Sequence, residues 1–77
     1  MKRTLVTGAC GQLGSELSLA LEKQIGAGNL VISDLSDPSN SLSHLNFVRL
    51  DVLDQQAVDK AVDQLGVSRI YHLAAML

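Results

Sequence analysis

Apolar and polar positions alternate between two periodicities along this chain. A short run, Arg3 to Thr7, carries few charges and breaks at Gly8, which predicts a strand covered on both faces. From Gln12 to Gln24 the apolar residues Leu13, Leu17, Ala20, Leu21 and then Ile25 recur with helical spacing, a stripe turned toward a sheet. Gly26 and Gly28 stop that helix, with Lys23 in its last turn. Leu30 to Ser33 is a second strand, rich in branched residues and ended by Asp34. The next segment, LSDPSNSLSHL, holds serines, Asn40, Asp37 and the single proline, and predicts a connection without a helix. Asn46 to Leu50 is a third strand. Asp54 is then an N-cap for the helix marked by Ala57, Val58, Ala61, Val62 and Leu65, and Gly66 closes it. Arg69 to Leu73 is the fourth strand.

Strand, helix, strand, connection, strand, helix, strand is the pattern of an α/β parallel sheet. In the order 3-2-1-4, right-handed crossovers put the two helices on opposite faces, as in a Rossmann-type doubly wound sheet. The switch point then falls between strands one and four. Strand four would form an edge that, over Ile70 to Leu73, has neither charge nor proline to block it, so further strands and a substrate domain are expected after residue 77, and the chain reads as an incomplete portion of a larger fold. A length of 77 residues, about half a usual domain, fits that expectation.

Composition narrows the classes of function. The chain is 47% hydrophobic with a formal charge of −2 and scattered bases, which gives no basic surface for nucleic acid or for an anionic membrane. No apolar run is long enough for a signal peptide or a membrane span. A single cysteine excludes an internal disulfide and fits a reducing, cytoplasmic location.

The chemistry concentrates where the first strand turns into the first helix. Gly8, Gly11 and Gly14 follow one another at a spacing of three, an arrangement suited to an anion at an uncapped helix start. Gly8 would turn the chain, Gly11 would let a pyrophosphate approach, and Gly14 would let helix and strand pack closely. Glycines also occur in many ordinary turns of this type, and the spacing differs from G-x-G-x-x-G. No Gly-Lys-Ser/Thr follows, which excludes a P-loop. Asp34 stands twenty residues beyond Gly14, where an acid accepts hydrogen bonds from an adenosine ribose and repels a 2′-phosphate, favouring NAD over NADP; its competing reading is a solvated strand-end acid. Asp51 and Val52, after strand three, are candidates for the adenine, or else a loop acid and its neighbour at a helix start. Cys10 reads as a small turn residue, His44 as an exposed loop residue and His72 as a structural histidine. No spacing of His, Cys, Asp and Glu suggests a metal.

Thr7, Gly8, Gly11 and Gly14, with Asp34, the Asp51–Val52 pair and His72 to Ala75, resemble the extended short-chain dehydrogenase/reductases, also called the NAD-dependent epimerase/dehydratase family. The family pattern T-G-x-x-G-x-x-G is matched in full. Within the family, GACGQLGSELSLAL, VISDLSDP and LDVLDQQAVDKAV look most like the short-chain type of L-threonine 3-dehydrogenases; sugar-nucleotide epimerases tend to have Gly-Phe-Ile-Gly where this chain has Gly11 to Gly14. The resemblance implies NAD as cofactor, lying across Gly8, Gly11, Gln12, Leu13 and Gly14, with Leu73, Ala74 and Ala75 along its middle. It implies hydride transfer from L-threonine, a small-molecule substrate, and admits a homodimer. The alternatives are a nucleotide-sugar epimerase or dehydratase and a non-catalytic dinucleotide sensor. The family's Tyr-x-x-x-Lys is where the chain departs: its only tyrosine, Tyr71, is followed four residues on by Ala75. No catalytic residue is therefore assigned within it, and the 77 residues alone are not expected to catalyse the reaction.

Overall fold

The computed structural model describes residues 2–73; Ala74 and Ala75 lie outside them. The elements are β1 (Arg3–Thr7), α1 (Gln12–Ile25), a single 3-10 turn (Ala27–Asn29), β2 (Leu30–Asp34), β3 (Asn46–Arg49), α2 (Gln55–Leu65) and β4 (Val67–His72). The four strands form one parallel sheet in the order β3-β2-β1-β4. This is the Rossmann-type topology that the sequence pattern predicts. The boundaries differ slightly: β4 starts at Val67 and ends at His72, β3 ends at Arg49, and α1 runs on to Ile25.

Successive strand residues point to opposite faces, so the central strands must be apolar on both. Val6, Leu30 and Ile32 face the α1 side and pack with Leu21. Leu5 and Val31 face the other side, with Leu50 and Ala61 of α2. The two helices thus cover opposite faces of the sheet. Each is stopped by a glycine with positive φ: Gly26 at +85° after α1, and Gly66 at +67°, in the left-handed region, after α2.

Two positions depart from the hydrophobic pattern. Leu13 falls in the predicted stripe, yet it is 65% exposed. The reason is its neighbour: Gly14 holds the buried place at the start of α1, and one helical step of about 100° turns Leu13 away from the sheet. The segment between β2 and β3 has no helix, as its composition predicts, but it is more than a polar connection. It folds into successive turns, with Leu42 N–H donating to Ser39 C=O and Leu45 N–H to Leu42 C=O, both at 3.0 Å. These turns deliver Leu42 and Leu45 into the core on the α1 side, where a crossover helix would otherwise supply apolar residues. His44, expected simply to be exposed, meets Glu22 of α1 at 2.8 Å and so ties the segment to the helix.

Because Leu42 is fully buried, Leu42→Ala in the full-length protein should lower stability by about 2–5 kcal/mol. A solvated connection would lose under about 0.5 kcal/mol. Denaturant unfolding of the two proteins, compared by midpoint at unchanged slope, distinguishes these outcomes.

Candidate functional site

Parallel strands deliver all their C-terminal ends to one edge of the sheet, and the loops that leave those ends meet there. β1 ends at Thr7, which is fully buried. The chain then turns at Gly8, whose φ of +69° is left-handed and strained for any residue with a Cβ. Ala9 N–H donates to Ser33 C=O at 3.1 Å, extending the contact between β1 and β2 by one step. Cys10 N–H donates to Asp34 Oδ2 at 3.0 Å, so the acid at the end of β2 holds the glycine turn in place. The other oxygen, Oδ1, accepts from Ser36 N–H at 3.1 Å. Each oxygen retains a second lone pair for a ligand hydroxyl.

The three glycines have separable roles. A Cβ built on Gly14 would lie 2.7 Å from Ala9 Cα and 2.9 Å from Ala9 C, and closer still to the Gly8 carbonyl oxygen; α1 can start here only with glycine. At Gly11 a Cβ would meet nothing nearer than Gly8 O at 3.7 Å, and φ is an ordinary −74°. The protein's own packing does not require that glycine, so the space beside it is available to a ligand.

The two helix starts are built differently. α2 is capped by Asp54, whose side chain accepts from Ala57 N–H at 3.2 Å. α1 has Gly11 at its N-cap, makes no side-chain capping bond and carries no acid in its first turn. Its first helical bond runs from Ser15 N–H to Gly11 C=O at 2.8 Å. The N–H groups of Gln12, Leu13 and Gly14 come before it and have no preceding turn to bond. Together with the positive end of the helix dipole, they form a place for an anion.

These features open into one cleft of about 970 Å³, lined by Gly8, Gly11, Gln12, Leu13, Gly14, Asp34, Asp51, Val52 and Leu73. Every sequence-derived site residue that lies within the described part of the chain is on its wall. Four further residues line it that the sequence does not assign to the cofactor: Leu35, Leu50 and Leu53, and His72, which opens the His72–Ala75 family segment but reads as structural. Their signal was positional, since each immediately follows or closes a strand or lies on the loop after β3. Leu13, Leu35 and Leu53, at 65%, 59% and 89% exposure, all rim this cleft, which gives a polar anion site an apolar border suited to an aromatic base. Asp51 is partly occupied: its Oδ1 accepts from Leu53 N–H at 2.9 Å, shaping the loop that leads into α2. A separate groove of about 450 Å³ between β3 and α2, lined by Val31, Phe47, Val48 and Leu65 among others, lies away from the glycine turn.

Cys10 is more engaged than its reading as a small turn residue predicts, while His72 is partnered as a structural histidine would be. The Cys10 thiol points at Ser36 C=O and Asp37 C=O, at 3.5 and 3.6 Å. Burial pushes its pKa up, and the negative charges of Asp34 and Asp37 add to the shift while Arg49 opposes it, so the thiol stays protonated at neutral pH. His72 Nδ1 lies 3.2 Å from Thr7 Oγ1, which fixes the ring beside the switch point. Among the described residues, no group of three or more His, Cys, Asp or Glu could hold a metal, and no helix is long and apolar enough to cross a membrane.

A glycine turn of this spacing, an uncapped helix start and an acid at the end of β2 meet at one cleft, and the sequence matches the model of the NAD dependent epimerase/dehydratase family over residues 4–77. The chain belongs to that family. It is 33% identical to the human inactive mitochondrial L-threonine 3-dehydrogenase, over 97% of this chain and 33% of that protein. It superposes on the GalE-like L-threonine dehydrogenase of Cupriavidus necator, holo form, with a TM-score of 0.85 and 34% identity, covering 92% of this chain and 23% of that one. It is also similar to a variant of the uronate dehydrogenase of Agrobacterium tumefaciens complexed with NAD, with a TM-score of 0.71, 39% identity, and coverage of 95% and 26%. The chain therefore spans a third or less of the length of each of these proteins.

Gly14→Ala should destabilise the fold by about 1–3 kcal/mol or more, because the new methyl meets backbone that cannot move aside. Gly11→Ala should stay within about 1 kcal/mol of the parent. Thermal melts of both variants of the full-length protein test this contrast, and equal losses would contradict the separate roles.

Proposed function

We propose that this chain is the nucleotide-binding portion of an NAD-dependent oxidoreductase whose substrate is L-threonine, oxidised to 2-amino-3-oxobutyrate. The nucleotide reading rests on the cleft. The N–H groups at the start of α1 would hold the pyrophosphate, Gly11 would leave room for it, and Asp34 would accept from the ribose hydroxyls. Asp51 and Val52, bordered by Leu35 and Leu53, would enclose the adenine, and Leu73, with Ala74 and Ala75, would follow the middle of the cofactor. When bound, NAD supplies the hydride acceptor. The residues of this chain orient it and exclude water from its phosphates.

The threonine reading is carried by one observation. At comparable identity, the chain superposes more closely on the L-threonine dehydrogenase, with a TM-score of 0.85, than on the uronate dehydrogenase, at 0.71. The acid–base groups of the reaction would come from another part of the protein. Tyr71 is no candidate for them, because it is a β4 residue packed against the core on the α1 side. A second reading, a dinucleotide-binding protein without turnover, is favoured by the human relative, which is an inactive L-threonine 3-dehydrogenase. The single cysteine fits a reducing compartment for either.

An assay of the full-length protein with L-threonine and NAD, read as NADH absorbance, should show turnover. NAD binding without turnover would move the assignment to the non-catalytic reading, and turnover with a uronate instead would move it to another dehydrogenase. Independently, Asp34→Ala should weaken NAD by about 1.5–3 kcal/mol and narrow its advantage over NADP in titration calorimetry. A melting curve run alongside separates this from loosening of the glycine turn, which the same carboxylate holds through Cys10 N–H.

A further inference from the structure

An acid at the end of β2 disfavours a 2′-phosphate, but the choice between dinucleotides also depends on which cations can reach that phosphate. The chain has six basic residues. Lys2 and Arg3 stand at the start of β1, and Arg69 pairs with Thr4 near that same end of the sheet. Lys23 is in the last turn of α1 and Lys60 in the body of α2. Arg49 differs. It closes β3 and lies in register with Asp34 itself, at the edge of the sheet where the cleft opens.

Arg49 is occupied. Its guanidinium donates from one terminal nitrogen to the carbonyl of Leu35, a residue of the cleft wall, and from the other to the carboxylate of Asp37. Asp37 is itself placed by the loop after β2, which the Cys10 thiol ties to the glycine turn through the carbonyls of Ser36 and Asp37. The pair is exposed, 54% for Arg49 and 82% for Asp37, so it is held by local geometry more than by a buried charge and can be released without disturbing the core.

We infer that Asp37 is a cofactor-selecting residue: by engaging Arg49, it withholds the one arginine or lysine that the described residues place at this edge to bind a 2′-phosphate, and so reinforces the exclusion of NADP that Asp34 begins. This rests on the dinucleotide reading of the cleft. Removing the Asp37 carboxylate leaves Arg49 tethered by the Leu35 carbonyl with a terminal nitrogen free, in the planar form that pairs well with phosphate oxygens.

The test is titration calorimetry of the full-length protein with NAD and with NADP, comparing the parent, Asp37→Ala, and Asp37→Ala combined with Arg49→Gln. Asp37→Ala should leave NAD affinity within about twofold and raise NADP affinity about tenfold. The added Arg49→Gln should abolish that gain. A gain that survives in the double variant would come from loss of a negative charge alone and overturns the proposal, as does the absence of any gain in Asp37→Ala while NAD still binds. If the folded parent, checked by circular dichroism, binds neither dinucleotide, the reading of the cleft falls and this inference falls with it.

Discussion

The start of α1 can lie against the end of β1 only because two backbones touch there with no side chain between them. Gly14 sits so close to the Gly8–Ala9 peptide that a methyl group has no room. That approach fixes the direction of α1 and leaves its first N–H groups facing outward. It also keeps the turn short enough for Ala9 to continue the pairing with β2 through Ser33. The cleft follows from this contact. A bulkier junction would tilt the helix and carry the N–H groups of Gln12 and Leu13 away from the ends of the neighbouring strands.

Asp34 shows how one side chain serves both fold and site. Its carboxylate accepts from Cys10 on the glycine turn and from Ser36 on its own loop, so it is oriented before any ligand arrives. Such preorientation reduces the ordering cost of binding. It also explains why Cys10, an unremarkable residue in sequence, is so closely engaged: its N–H bonds the last residue of β2 and its thiol the segment that follows, joining the two loops that flank the cleft.

Much of this was legible in the residues. The order of strands followed from the alternation of elements and the handedness of crossovers; the glycine turn and the acids Asp34 and Asp51 of the cleft followed from spacing and strand ends, and Leu73 from the family resemblance. Three things were not legible, for reasons of geometry. Leu13 matched the helical stripe by period, but the stripe begins a turn later because Gly14 takes the contact position. Leu42 and Leu45 stood in a serine-rich segment whose composition signals exposure, while its turns direct those two side chains inward. The pairing of Arg49 with Asp37 joins residues twelve apart on different elements, and no local pattern encodes it.

The cleft wall takes residues from the ends of β1, β2 and β4 and from the loop after β3, segments as far apart in sequence as Gly8 and Leu73. The whole wall exists only in the completed sheet. Ligand affinity is therefore confined to the completed arrangement, and by mass action occupancy at a hundred times the dissociation constant adds about 2.7 kcal/mol to its stability. A ligand bound there would act as a late-arriving clamp on a sheet made entirely of non-local pairings, which are the contacts that form most slowly. On the proposed reading of the cleft, the supply of dinucleotide and the lifetime of the folded chain would then be coupled quantities.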